Sequence, residues 1–201
     1  PPAPSLPLAT RPDQLGTPKF TKLTEKIPPE RWERLKQGAA RHGVTPSCLL
    51  LSVYADVLAT WSNSGRFCIN LTLFNRKLFH DDVMHLVGDF TSTSLLEIDA
   101  QKGKTFAQRA ADIQSRFWLD MDHRDWSGVR VIRDLHQQRG SAPGALMPVV
   151  FTANMGGSGG SGTADSLGRL IFNAGQTPQV WLDHQVFEED GGLTVMWDYV
   201  R

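Results

Sequence analysis

Two hydrophobic periods divide the chain. Phe20-Thr-Lys-Leu-Thr-Glu-Lys-Ile27 and Phe67-Cys-Ile-Asn-Leu-Thr-Leu-Phe74 alternate apolar with polar positions, the period of strands with one wet face. Between them, Pro28-Pro29 opens a helical pattern through Glu30, Trp32, Leu35 and Ala39 that stops at Gly43. Thr45 then caps a second helix with Pro46 at its first position. Its stripe of Leu49, Leu50, Val53, Tyr54, Val57, Leu58 and Trp61 is broad enough to predict burial. Residues 90–98 read as a further strand. Thr105-Phe-Ala-Gln108 fits a capping box, and Phe106, Ala110, Ile113, Phe117 and Met121 recur at helical spacing after it. A helix over 127–138 ended by Gly140, a strand around 149–153, and a hairpin of 179–188 and 193–200 turning at Asp190-Gly191-Gly192 complete the pattern. Strands interleaved with helices predict an α/β two-layer sandwich, a mixed sheet with helices over one face.

Residues 1–18 are proline-rich without periodicity and read as a linker or surface arm, leaving 19–201 as one unit. With 201 residues, 40% of them hydrophobic, the chain can bury a sizeable core. Lys+Arg 21 against Asp+Glu 21 leaves no net field to recruit nucleic acid or an anionic membrane, so a small-molecule or protein-bound substrate fits better. Cys48 and Cys68 lie in apolar patterns without metal-ligand spacing and read as buried free thiols of a reducing compartment. No stretch reaches the roughly 18 apolar residues of a membrane helix, and the first residues lack signal-peptide character; a cytoplasmic location is expected.

Gln176-Thr-Pro-Gln-Val-Trp-Leu-Asp183-His-Gln-Val-Phe187 is an apolar strand carrying polar residues that a fully buried strand would exclude. Alternation puts Val180, Leu182, His184 and Val186 on one face and Gln179, Trp181, Asp183, Gln185 and Phe187 on the other. Asp183 is therefore either a solvated strand residue or a carboxyl set among amides and rings for chemistry. Gly156-Gly-Ser-Gly-Gly-Ser-Gly162 matches two glycine-rich site patterns, but no helix-forming run follows it to supply backbone donors. It reads as a linker whose regularity suggests an engineered replacement for a longer loop. His80 and His85 lack the spacing that sets two ligands on one helical face, so 80–85 reads as a solvated connector and no metal site is expected. Asp89 reads as a strand-end turn residue and Asn75 as a turn or substrate contact.

Pro148-Val-Val-Phe-Thr152 and the Gln176–Phe187 stretch, preceded by Val87-Gly-Asp-Phe-Thr-Ser92, Leu95-Leu-Glu-Ile-Asp99 and Ile113-Gln-Ser-Arg-Phe-Trp-Leu-Asp-Met-Asp-His123, resemble in order the signature blocks of heterocyclization domains of nonribosomal peptide synthetases, a subfamily of condensation domains. The resemblance runs almost the whole chain and covers the C-terminal half of such a domain. It implies a chloramphenicol-acetyltransferase-like fold, condensation of a carrier-bound acyl group with carrier-bound Cys, Ser or Thr, and cyclodehydration to a thiazoline or oxazoline. It assigns cyclodehydration to Thr152 and Asp183, and makes Gln176, Gln179, Trp181 and Asn75 candidates for holding substrate. Thr152 is expected to orient Asp183 or the departing water, and Trp181 and Phe187 to desolvate the carboxyl. No cofactor is expected to bind directly; substrates ride on the phosphopantetheine of carrier proteins. The implied partners are the N-terminal half of the same domain, peptidyl or acyl carrier proteins and neighbouring synthetase domains. The D-x-x-x-x-D spacing at Asp120 and Asp125 falls inside a C-terminal block and reads as the end of a helix. No HHxxxDG occurs. An ordinary peptide-bond-forming half and a non-catalytic docking or folding fragment stand as alternatives, and the half alone is expected to be inactive.

Overall fold

The computed structural model describes residues 1–10, 14, 16–100, 103–139, 147–155 and 179–201. Six strands form one sheet: β1 (Phe20–Ile27), β2 (Arg66–Phe74), β3 (Thr91–Asp99), β4 (Val149–Asn154), β5 (Leu182–Glu189) and β6 (Gly192–Val200). The order across it is β1-β6-β5-β4-β2-β3. Outer pairs run antiparallel, while β4 lies parallel to both β2 and β5, so the sheet is mixed as its pattern predicts. The helices are α1 (Pro29–Arg41), α2 (Pro46–Trp61), α3 (Phe106–Asp122) and α4 (Gly128–Arg139).

Local chemistry sets these boundaries. The Thr45 side chain accepts from Cys48 N–H at the start of α2, and Thr105 and Gln108 form the reciprocal capping box of α3. At the end of α3 the Arg124 guanidinium donates to Met121 C=O, placing positive charge where the exposed carbonyls are. Asp120 accepts from Arg116 one turn earlier, and Asp125 pairs with Lys77. Asp89 accepts from Thr91 N–H as β3 opens, the turn role expected of it. His80 and His85 are exposed around a short 3-10 helix, Asp81–His85.

One face of the sheet carries the core. Phe67, Ile69 and Leu71 of β2, Leu96 and Ile98 of β3, Val149 and Phe151 of β4 and Val186 of β5 pack with Trp32, Leu51, Tyr54 and Leu58 of the helices. Trp32 is fully buried and donates its indole N–H to Glu188 Oε1 at 2.5 Å, fixing α1 to β5. Cys48 and Cys68 are buried free thiols. Residues 1–10 lie along the body: Pro2 C=O accepts from Cys68 N–H, Ser5 C=O accepts from Asn63 N–H, and Leu6 packs on the core. α1, α2 and α3 serve the core face, as expected, whereas α4 packs over the opposite face at the β3 edge. There Gly128, at the start of α4, comes so close that a Cβ would stand 2.9 Å from Thr93 Oγ1. Among the described residues no single helix is long and apolar enough to cross a membrane.

Candidate active site

The face opposite the core is polar where the parallel strands meet. Asn70 and Thr72 of β2 alternate with its core residues, Val150 and Thr152 do so on β4, and Asp183 and Gln185 on β5. Register aligns Asn70 with Val150 and Val150 with Asp183, and one step along aligns Thr72 with Thr152 and Thr152 with Gln185. A cavity of about 650 Å³ opens over this face, floored by Asn70, Thr72, Val150 and Asp183 and roofed by Val129, Ile132, Arg133 and His136 of α4. Thr91 and Thr93 of β3, Met147, and Gln179 and Val180 just before β5 complete its walls.

Asp183 is half-buried in this cavity. Its Oδ2 accepts from Gln185 Nε2 at 2.6 Å, while its Oδ1 is buried with no hydrogen-bond partner among the described residues. Burial pushes the carboxyl above its ordinary range, against the opposing effect of the Gln185 bond; Asp198, its register partner on β6, pushes the same way as burial. Lys22 of β1 partly offsets that, its Nζ 3.8 Å from Asp198 Oδ1. The carboxyl thus favours its protonated form more than a solvated aspartate does, and one oxygen is ready to bond a ligand. Two further residues that line this cavity, Asn70 and Thr93, each hold a buried side-chain oxygen, Oδ1 and Oγ1, with no hydrogen-bond partner among the described residues.

The structure distributes the expected site residues unevenly. Thr152 shares the face with Asp183, but its hydroxyl donates to Thr72 Oγ1 at 2.9 Å, and the residue hydrogen-bonded to Asp183 is Gln185. Gln179 lines the cavity. Trp181 does not, because β5 begins only at Leu182. Trp181 N–H donates instead to Pro148 C=O, and the residue lines a separate cavity of about 360 Å³ against residues 4–10. The apolar walls beside Asp183 are Val150, Val180 and residues of α4, in place of the expected Trp181 and Phe187. Asn75 follows the end of β2, where its N–H donates to Phe90 C=O, and is not among the residues lining the cavity. Gln176 and the 156–162 repeat lie outside the described residues. The sequence pattern does not mark Asn70, Thr72 and Thr93 as cavity residues, because polar alternation in a strand looks the same on a wet face as on a cavity wall, and it predicts the helix α4 without its position over that face.

Relatives with this architecture are numerous. The chain is 38% identical over 198 residues to pyochelin synthetase PchF of Pseudomonas aeruginosa, covering 97% of this chain and 11% of that protein. It is 40% identical over 200 residues to phenyloxazoline synthase MbtB of a Mycobacterium species, covering 98% of this chain and 17% of that protein. The cyclization-docking bidomain of the EpoB nonribosomal peptide synthetase from Sorangium cellulosum superimposes with a TM-score of 0.86 at 40% identity, over all of this chain and 40% of that one. The chain therefore spans only a small part of the synthetases it resembles. The condensation domain family matches residues 2–201, the same stretch that builds the mixed sheet and the cavity over its polar face, and the chain belongs to that family.

Proposed function

We propose that this chain is the C-terminal half of a heterocyclization domain, and that the domain joins a carrier-bound acyl group to carrier-bound Cys, Ser or Thr and closes the product to a thiazoline or oxazoline. The observation that carries this reading is Asp183: a carboxyl pushed toward its protonated form by burial, with one oxygen unpaired in a cavity large enough for an aminoacyl group. The names phenyloxazoline synthase and cyclization domain among its relatives support the same direction.

The chemistry has two stages. The acceptor amine attacks the acyl thioester; a C–N bond forms, the C–S bond breaks, and the proton lost by nitrogen ends on the released carrier thiol. The acceptor's thiol or hydroxyl then adds to the new amide carbon, and the former carbonyl oxygen leaves as water while a C=N bond forms. Two hydrogens must reach that oxygen, one from the side-chain nucleophile and one from nitrogen. A carboxyl whose burial favours its protonated form, and which can pass that proton on and take another, relays both, the role this reading gives Asp183. Gln185 holds the carboxyl in place, and the Thr152–Thr72 hydroxyl pair offers a site for the departing water. Gln179 lies where it can bond the substrate amide.

The reading is tested by supplying the complete domain with acyl-loaded and Cys-, Ser- or Thr-loaded carriers and weighing the carrier-bound products. A product lighter than the linear amide by one water is expected with at least one acceptor. Linear amide alone with all three would sink it.

A further inference from the structure

We infer that Asn70 and Thr93 form a second subsite of the cavity, one that grips the hydrogens of the acceptor's α-nitrogen and so governs amide formation. Three observations carry this. First, Asn70 and Thr93 line the same cavity as Asp183, and their side-chain oxygens, Oδ1 and Oγ1, are buried with no hydrogen-bond partner among the described residues. A buried polar atom left unpaired costs free energy that a ligand donor would recover. Second, the two residues sit diagonally on neighbouring strands and on the same face of the sheet, since Asn70 pairs with Leu95 and Thr72 with Thr93, which makes them neighbours in one wall of the cavity. Third, Asn70 and Asp183 occupy the same register row on either side of Val150, two strands apart, which sets their backbones about 9.6 Å from each other. That span separates a nitrogen-binding subsite from the carboxyl while leaving both within reach of one aminoacyl group.

The chemistry of the pair selects the occupant. An oxygen of a carboxamide accepts but cannot donate, and a hydroxyl accepts while rotating its own hydrogen away. Two such acceptors suit a neutral primary amine: each takes one N–H, and the nitrogen lone pair is left for the thioester carbon. After condensation the nitrogen retains one hydrogen, which leaves in the second stage by way of the carboxyl, so the subsite acts on the first stage. The inference rests on the heterocyclization reading but fails separately from it.

The test uses the complete domain with cysteinyl and N-methylcysteinyl carriers. Asn70→Leu is expected to slow amide formation roughly 10-fold with the ratio of ring to amide unchanged, the loss of one buried hydrogen bond. Wild type is expected to prefer the cysteinyl over the N-methylcysteinyl acceptor in amide formation, and Asn70→Leu to shrink that preference by a similar factor. Asn70→Asp keeps an acceptor oxygen and should retain the preference. Thr93→Val provides the same comparison should Asn70→Leu not fold. A variant of normal melting temperature with unaltered amide rate and unaltered preference overturns the inference. Asp183→Asn, run alongside, separates the two claims: equal loss of amide and ring there refutes the heterocyclization role of Asp183, whatever Asn70 does.

Discussion

At Leu182-Asp183-His184 one strand presents opposite chemistry to its two faces. Asp183 faces the cavity, while His184 is buried among the rings of Tyr54, Phe151 and Trp197, the last with its centroid 4.0 Å away. Burial lowers the His184 pKa from 6.5 to about 4, against a raising contribution from a hydrogen bond to the Met196 backbone. The unfolded chain therefore binds a proton that the folded one refuses between these two values. The contribution of neutral His184 is complete above about pH 6.5 and is lost as pH falls toward 4, amounting to roughly 3 kcal/mol. Denaturant titrations at pH 7 and 4.5 should show His184→Gln losing less stability on acidification than wild type. Equal losses would mean that His184 is protonated, or open to water, in the folded state. Asp183 works in the opposite sense: its raised pKa means that ionising it costs stability as pH rises.

The alternation of β5 was legible in the sequence from Leu182 onward, and so was the placement of Asp183 opposite His184. Trp181 was not, because alternation persists only while the chain is paired as a strand, and nothing in a run of apolar and polar residues marks where pairing starts. Other elements read correctly where a local device sets the boundary: Thr45 and Thr105 cap their helices, and the Asp190–Gly192 turn closes its hairpin. The placement of α4 over the polar face is a tertiary fact, invisible to periodicity alone. Glycine use shows the difference between local and tertiary demands. A Cβ at Gly192 would lie 2.7 Å from Ile27 C=O on the neighbouring strand, whereas one at Gly38, inside α1, would meet only Arg41 Nη2 at 3.9 Å. Gly192→Ala is therefore expected to cost about 1–3 kcal/mol through displacement of β1. Gly38→Ala should stabilise the chain by about 0.5–1 kcal/mol. Thermal melts of the two variants check both signs; a neutral Gly192→Ala would mean β1 is free to move.

For the molecule as a whole, the polar face and its cavity lie beside an apolar surface. Leu78, Phe79, Met84, Leu86 and Val87 are exposed between β2 and β3, Val87 fully so. The segment is nevertheless organised, because Arg76 donates to Val83 and Met84 C=O and its guanidinium lies 3.9 Å from the Phe90 ring centroid. Ordered apolar surface of this kind marks a contact region. The isolated chain should self-associate as its concentration rises, and Phe79→Ser with Val87→Ser should reduce the association seen by sedimentation without lowering the melting temperature. Association unchanged by the pair would place the contact elsewhere.

If Asp183 serves ring closure and not amide formation, product partition in the complete domain reveals it most directly. Asp183→Asn keeps the shape of the side chain but removes the titrating group, so ring formation should fall by roughly 10²–10⁴-fold while amide formation continues and the linear product accumulates. Thr152→Ala should shift the partition the same way by less, since its hydroxyl is hydrogen-bonded to Thr72 and not to the carboxyl. Mass spectrometry of carrier-bound intermediates resolves the two products by one water. Accumulated linear amide is the result predicted; amide and ring falling together in Asp183→Asn would contradict it.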